Sequence, residues 1–276
     1  MSLRRPHPAL RPYVEAVWAS AAPGQSVAPR EHVLPCTGMH LAIRLDGPLR
    51  LYRDAGDLRG ETVADAVVAG ARAGFYVKDT TQPSRSVGVI LRPGATQALF
   101  GCDADELSSS HTPLDALWGP AAGRLHEALL DCDDESHQLE LMQRALFARL
   151  RPARAMHPAI AQAMQGLGQR EPVASLAQAS GLSHRHLLAR FRAATGLAPK
   201  AYARVLRFRH ALRLLARGQP LADIAIDAGY SDQAHFNREF RELSGMTPQA
   251  YRRAPVRGEA HVAMVNFLQD AGTAPT

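Results

Sequence analysis

Two stretches of the chain repeat one pattern: LAQASGLSHRHLLARFRAATGLAPKAY (residues 176–202) and IAIDAGYSDQAHFNREFRELSGMTPQAY (residues 224–251). Leu176, Ala177, Gly181 and Ser183 recur 48 positions later as Ile224, Ala225, Gly229 and Ser231. Phe191, Gly196, Pro199 and Tyr202 recur 49 positions later as Phe240, Gly245, Pro248 and Tyr251, so one residue is added just after the turn. Each copy reads as helix, turn, helix. Ala177 and Ala225 are small residues four before a glycine, which lets a second helix cross closely. Gly181 and Gly229 supply the left-handed backbone of a tight turn. Ser183 and Ser231 suit the N-cap that follows, and Leu187 with Phe191, or Phe236 with Phe240, place apolar side chains four apart on one face. One such copy is an ordinary helical hairpin. Two joined by a long helical stretch make a tandem helix-turn-helix unit.

Working outward, residues 199–217 read as a helix with Tyr202, Val205, Phe208, Leu212 and Leu215 on an apolar stripe. At 1.5 Å per residue it spans about 27 Å, which sets two motifs roughly one DNA turn apart. Gly218 and Pro220 punctuate before the helix of residues 221–228, and Thr247 with Pro248 open a last short helix. On the amino-terminal side, Pro158 starts a helix closed at Gly168, Pro172 starts the next, and RPARAMHP (residues 151–158) marks the domain boundary. Residues 151–257 hold 17 Lys+Arg against 6 Asp+Glu, whereas residues 1–150 hold 15 against 18. Positive charge confined to the repeat region is the footprint expected for a nucleic-acid partner. The basic residues lack the strongly apolar helix face that a membrane surface would require.

The tandem motif, with SDQAHFNREFRELSGMTPQAYR as its most specific stretch, resembles the DNA-binding domain of the AraC/XylS family of transcription regulators. The resemblance covers residues 155–253. It implies a seven-helix all-α domain whose two recognition helices enter successive major grooves of double-stranded DNA. Carried over by alignment, Arg185, Leu188 and Ala189 face bases from the first recognition helix, with Arg192 on the same side. In the second, Gln233, Ala234, Asn237 and Arg238 share the exposed side. Gln or Asn pairs with adenine and Arg with guanine, each contributing about 1–3 kcal/mol of discrimination. Leu188 and Ala189 lack hydrogen-bonding groups, so the first motif is expected to read a less stringent sequence than is usual for the family. His235 and Glu239 are expected to orient neighbours or contact backbone.

The amino-terminal half has another texture. HVLPCTGMHLAIRL, PLRLY, ADAVVAGA, GFYVKD and SRSVGVILRPG are short β-prone runs between Gly, Pro and Asp, the rhythm of a small antiparallel sheet or barrel. Helical patterns follow from Ala95, and two amphipathic helices are expected over residues 121–132 and 136–150. The stretches VLPCTGMHLAIRL, GARAGFYVKD, GVILRPGATQALFG and HTPLDALWG resemble the amino-terminal domain of one AraC subgroup. By analogy with the wider family, that domain is a cupin-like barrel followed by helices.

The expected organisation is thus a mixed β-rich effector-sensing or dimerisation domain (1–150), an all-α tandem helix-turn-helix domain (151–257) and a tail (258–276) that either packs back on the body or stays disordered. With no signal peptide and no run of 18 apolar residues, the protein is expected to be a soluble cytoplasmic one. Cys36, Cys102 and Cys132 form neither a disulfide framework nor a zinc pattern, and His32, His40 and His111 lack cupin metal spacing, so no metal or cofactor is expected. The resemblance implies a non-enzymatic transcription regulator with DNA, a small-molecule effector of unknown identity, RNA polymerase and a second copy of the chain as partners. Two rivals remain at this point. One is a DNA-alkylation-responsive repair protein using Cys36, which needs an activated thiolate. The other is a regulator whose amino-terminal domain only dimerises.

Overall fold

The computed structural model describes residues 2–20, 28–82, 85–152, 156–254, 256–258 and 261–263. In chain order the first half contains β1 (Ser2–Arg4), β2 (Val14–Ser20), β3 (Arg30–Val33), β4 (Met39–Arg44), β5 (Leu49–Tyr52), β6 (Glu61–Val63), β7 (Ala66–Ala69), β8 (Tyr76–Asp79), β9 (Ser86–Leu91), α1 (Ala95–Leu99), β10 (His111–Pro113), α2 (Leu114–Trp118), α3 (Pro120–Leu130) and α4 (Glu135–Arg149). The second half contains α5 (Pro158–Gly168), α6 (Val173–Ala179), α7 (His184–Thr195), α8 (Pro199–Ala216), α9 (Leu221–Ala228), α10 (Gln233–Ser244) and α11 (Pro248–Arg253), then β11 (Val256–Gly258) and β12 (His261–Ala263).

The strands form two antiparallel sheets, ordered β1-β2-β9-β4-β7-β10 and β11-β12-β3-β8-β5-β6. Strand character therefore begins before Arg30, where the sequence pattern first suggests it. β2 pairs with β9 through most of its length, from Ala16↔Ile90 to Ser20↔Ser86. The alternation along β4 decides the faces of the first sheet. Met39, Leu41 and Ile43 are buried and His40, Ala42 and Arg44 half-buried. With Val68, Val87 and Val89, the first set faces the helical layer, where α4 packs on β2 and β9 and α2 on β7. Leu125, Leu129, Leu139, Met142 and Leu146 carry the helices into that layer, as their spacing predicts. Asp134 caps α4, its carboxylate accepting the His137 N–H at 2.7 Å.

The seven helices α5–α11 are the all-α domain expected from the repeat. Its two motifs are supported differently. Leu176, Leu187, Phe191, Leu197, Tyr202 and Val205 belong to one continuous core with Leu10, Met39, Ala71, Leu99 and Leu107 of the amino-terminal half. Phe208, Tyr230, Phe236, Phe240, Leu243, Met246 and Tyr251 form a second core, which Leu34 joins from the amino-terminal half. Each fully buried Phe or Leu contributes about 1.5–3 kcal/mol by transfer from water. The tail does return to the body: β12 pairs with β3 through His261↔Val33, Val262↔His32 and Ala263↔Glu31. Residues 264–276, which hold the rest of the apolar tail run, and residues 153–155 of the boundary segment lie outside the described residues.

Candidate nucleic-acid interface

Each recognition helix is positioned by a glycine turn before it, an apolar face beneath it and a hydroxyl-bearing cap behind it. Gly181 and Gly229 have φ of 65° and 82°, the left-handed turn expected at both. The Ser183 hydroxyl accepts the His186 N–H at 3.4 Å and starts α7. In the second motif the cap is Asp232, whose Oδ1 accepts the His235 N–H at 2.7 Å, and not Ser231. The physical reason is the inserted residue: it moves the cap one place on, leaving the Ser231 hydroxyl to meet His235 Nδ1 at 3.0 Å. A carboxylate at this position also complements the positive end of the helix dipole.

Leu187, Phe191, Phe236 and Phe240 are each 0–1% exposed, so both helices are pinned by the face that the sequence assigns to the core. The opposite faces are free. Arg185, Ala189 and Arg192 are exposed on α7, with Leu188 half-buried beside them. Gln233, Ala234, Asn237 and Arg238 are all exposed on α10. Leu188 is the exception among the eight, a side chain shared between surface and core.

Glu239 is 7% exposed and faces inward. Its carboxylate takes a two-pronged contact from Arg207, with Nη2 at 2.8 Å from each oxygen, and meets Arg204 Nε at 3.1 Å. Arg204 also pairs with Glu242, and the Arg207 guanidinium lies 4.8 Å from the centre of the Tyr230 ring. This network ties α10 to α8, the orienting role expected of Glu239. The corresponding position of α7 is Arg190, which is exposed.

The C-terminal ends of α7 and α10 repeat one another. Thr195 Oγ1 donates to Phe191 O at 2.7 Å and Ser244 Oγ to Phe240 O at 2.7 Å. Gly196 and Gly245 follow with φ of 80° and 75°. Both ends are capped by the amino-terminal half: Gly94 N–H donates to Ala194 O at 2.8 Å, and His32 Nδ1 lies 2.8 Å from Ser244 O. Helix C-termini leave carbonyls without intrahelical partners, and these contacts satisfy one on each helix. A Cβ on Gly245 would meet the Phe75 ring at 2.5 Å, and one on Gly196 the Ala104 carbonyl at 3.1 Å. His32 also stacks on Phe75 at 5.1 Å, and burial lowers its pKa from the ordinary 6.5 against the opposing pull of the Ser244 carbonyl.

Sequence reasoning missed Arg170. This residue turns between α5 and α6 with φ 67°, a strained value for a side chain other than glycine. Its Nη2 donates to Asp227 O at 2.6 Å, at the end of α9, so it ties the first motif's supporting helices to the second motif. The only local signal is GQRE (residues 168–171), a polar stretch between Gly168 and Pro172 that gives no hint of a partner 57 positions on.

Cys36 is half-buried, with Sγ 3.2 Å from Gly38 O. Burial pushes its thiol pKa up, against the lowering effect of Arg209 and Arg72. That is the opposite of an activated thiolate.

Fold and surface together define a two-domain protein with a β-rich half and a basic tandem helix-turn-helix half. Residues 176–254 match the helix-turn-helix domain family, and residues 3–113 match a domain of unknown function, DUF6597. Regulatory protein ada of Salmonella typhimurium is 34% identical over 139 residues, covering 46% of this chain and 39% of that protein. An AraC-like transcription regulator of Streptomyces antibioticus is 36% identical over 105 residues, covering 36% of this chain and 34% of that protein. The chain thus spans well under half the length of either relative. Among solved structures, the DNA-binding domain of AdpA, a global transcriptional factor held in complex with a target DNA, is 29% identical with a TM-score of 0.32. It covers 36% of this chain and 91% of that one. The carboxy-terminal domain is thus similar to a helix-turn-helix domain and to AraC-like regulators over that stretch, and the amino-terminal half is similar to DUF6597.

Proposed function

We propose that the protein is a sequence-specific DNA-binding transcription regulator, with residues 151–257 reading DNA, residues 1–150 sensing a small-molecule effector, and residues 258–276 forming a tail. The observation that carries this reading is the pair of recognition helices. Their apolar faces are buried in two cores while Arg185, Ala189 and Arg192 on one helix and Gln233, Asn237 and Arg238 on the other stay exposed. A surplus of 17 Lys+Arg over 6 Asp+Glu in residues 151–257 supplies the attraction to phosphate. The raised thiol pKa of Cys36 weighs against the repair reading.

Selection of bound duplexes from a random DNA pool by the full chain, near physiological salt, tests the proposal. Two short enriched blocks about one helical turn apart are expected, the second motif's block the better defined. Affinity should fall steeply as salt rises. Unenriched DNA from the folded chain, or a flat salt response, would overturn the reading.

A further inference from the structure

Five helices of the carboxy-terminal half end on a glycine with left-handed backbone: Gly181 after α6, Gly196 after α7, Gly218 after α8, Gly229 after α9 and Gly245 after α10, with φ between 65° and 82°. Glycine suits that place because it has no Cβ to clash. α5 ends on Arg170 instead, at φ 67°. The turn closes through backbone alone, the Arg170 N–H donating to Leu167 O at 3.1 Å and the Glu171 N–H to Gly166 O at 2.9 Å. A glycine would make the same bonds without the steric cost, so the reason for an arginine lies outside the turn.

The side chain leaves the turn and crosses to the second motif. Its Nη2 donates to Asp227 O at 2.6 Å, in the last turn of α9, where carbonyls lack intrahelical partners and the helix dipole favours a cation. The Gly229 and Tyr230 N–H groups close the two carbonyls before it, Ile226 O at 2.9 Å and Ala225 O at 2.8 Å. The rest of the guanidinium lies on the turn itself: a Cβ on Gly229 would meet Arg170 Nη1 at 3.1 Å and Cζ at 3.5 Å. Gly181, the same turn of the first motif, has nothing within 4 Å of that point. The turn that aims the second recognition helix is thus covered by an arginine from the base of the first motif, while the first turn is open.

α8 passes beside the same point. His210, half-buried on α8, has its pKa lowered by burial and then by the positive charges of Arg170, Arg213 and Arg217, against the opposing pull of Asp227. Three segments therefore meet at the Arg170 guanidinium: the turn between α5 and α6, the connecting helix, and the end of α9. α8 joins the motifs end to end, and a contact off its axis resists the twisting of one motif against the other.

We infer that Arg170 is a positioning residue for DNA reading: its side chain braces the second motif against the first and fixes the separation and rotation of the two recognition helices, so that paired half-sites are recognised at one spacing. The strained backbone is retained because the contact it enables lies at a functional junction. The inference rests on the reading of α7 and α10 as DNA readers and adds to it what sets their spacing. One base pair inserted between half-sites shifts them by about 3.4 Å and turns them by about 35°, a change that a braced pair of helices does not follow and a loose pair does.

Binding of the full chain to its selected duplex, and to duplexes with one base pair added or removed between the two blocks, provides the test, with Arg170→Ala and Arg170→Gly beside the wild type. Both variants lose the guanidinium and only the alanine keeps the left-handed strain, so Arg170→Gly should melt about 2–4 °C above Arg170→Ala. The wild type should bind either respaced duplex about tenfold more weakly, and both variants should lose about threefold or less. The His210 ring, titrated by NMR without DNA, should show a higher pKa in both variants, because a nearby positive charge is gone. A wild type indifferent to spacing, a preference kept in both variants, or an unchanged His210 titration would each overturn the proposal. So would a preference lost in Arg170→Ala and kept in Arg170→Gly, which would make backbone strain the cause. Equal weakening on every duplex with a shallower salt dependence would make Arg170 a phosphate contact, and would overturn it too. Failure of the wild-type chain to select any site would overturn the DNA-reading proposal and this one together, a result distinct from failure of the arginine alone.

Discussion

The two helix-turn-helix motifs are built to one pattern and held by different means. The first shares its core with the β-rich half: Phe191 and Leu187 sit in the cluster that also contains Met39, Ala71 and Leu107. The second makes an aromatic core of its own from Phe208, Phe236, Phe240 and Tyr251, and is tied to α8 by the Glu239 contacts with Arg204 and Arg207. Sequence similarity between repeats therefore does not carry over to mechanical role. The first motif is part of the body of the β-rich half, and the second is a self-supporting motif attached to it at Leu34, His32 and Phe75.

The largest effect that can break this contrast comes from the cores. Phe191→Ala and Phe240→Ala each empty a fully buried ring and should lose about 3–5 kcal/mol. Hydrogen exchange should show Phe191→Ala loosening the β-rich half and α7 together, and Phe240→Ala loosening α9–α11 while the sheets stay protected. Equal loosening of the sheets in both variants would erase the distinction.

Reading should differ next. Arg238→Ala is expected to reduce affinity for a selected site by about 1–3 kcal/mol while leaving non-specific binding nearly unchanged, measured by anisotropy on both duplexes. Arg185→Ala should lose less, because Ala189 and the half-buried Leu188 beside it offer no hydrogen bonds. Reversal of that order would make the first motif the stricter reader.

The smallest effect sharpens the attachment of the second motif. Because burial depresses the His32 pKa, folding favours the neutral ring, and the unfolded chain takes up a proton first as pH falls below about 6.5. The stabilisation is full above that value and is lost on acidification, by at most about 1.4 kcal/mol per pH unit. His32→Asn keeps a donor for the Ser244 carbonyl and does not titrate, so stability measured by urea denaturation should fall less steeply between pH 6.5 and 5. His111 and His210, whose pKa values are also lowered, remain in the variant and leave a residual slope. An unchanged slope would mean that His32 keeps its proton in the fold.

How much of this is legible in the sequence depends on how local the physics is. Turn glycines, Ser183, the apolar spacing of Leu187 and Phe191 and the stripe along α8 are all set within a few residues, and each is found where the pattern places it. Asp232 in place of Ser231 was within reach, since the added residue is visible in the offset between the copies. The contacts that join the halves were not. His32 and Ser244 are 212 positions apart, and neither residue has a neighbourhood that announces the other. β2 was missed because VEAVWAS mixes small and polar residues without clean alternation, and its place is decided by β9. Arg170 is concealed for the same reason. In GQRE it looks like one surface arginine among many, and only the folding of α9 beside it gives its guanidinium a partner.

β12 has a mechanical consequence. Its hydrogen bonds to Glu31, His32 and Val33 stitch residues 261–263 to the strand whose His32 caps α10. The second motif is therefore fastened to one ribbon of backbone at two places on its carboxy-terminal side, the end of α10 and β12, like a page sewn as well as glued. It cannot swing away from the β-rich half until a sheet edge is unzipped, so the spacing between the two motifs is carried by the seam as well as by α8.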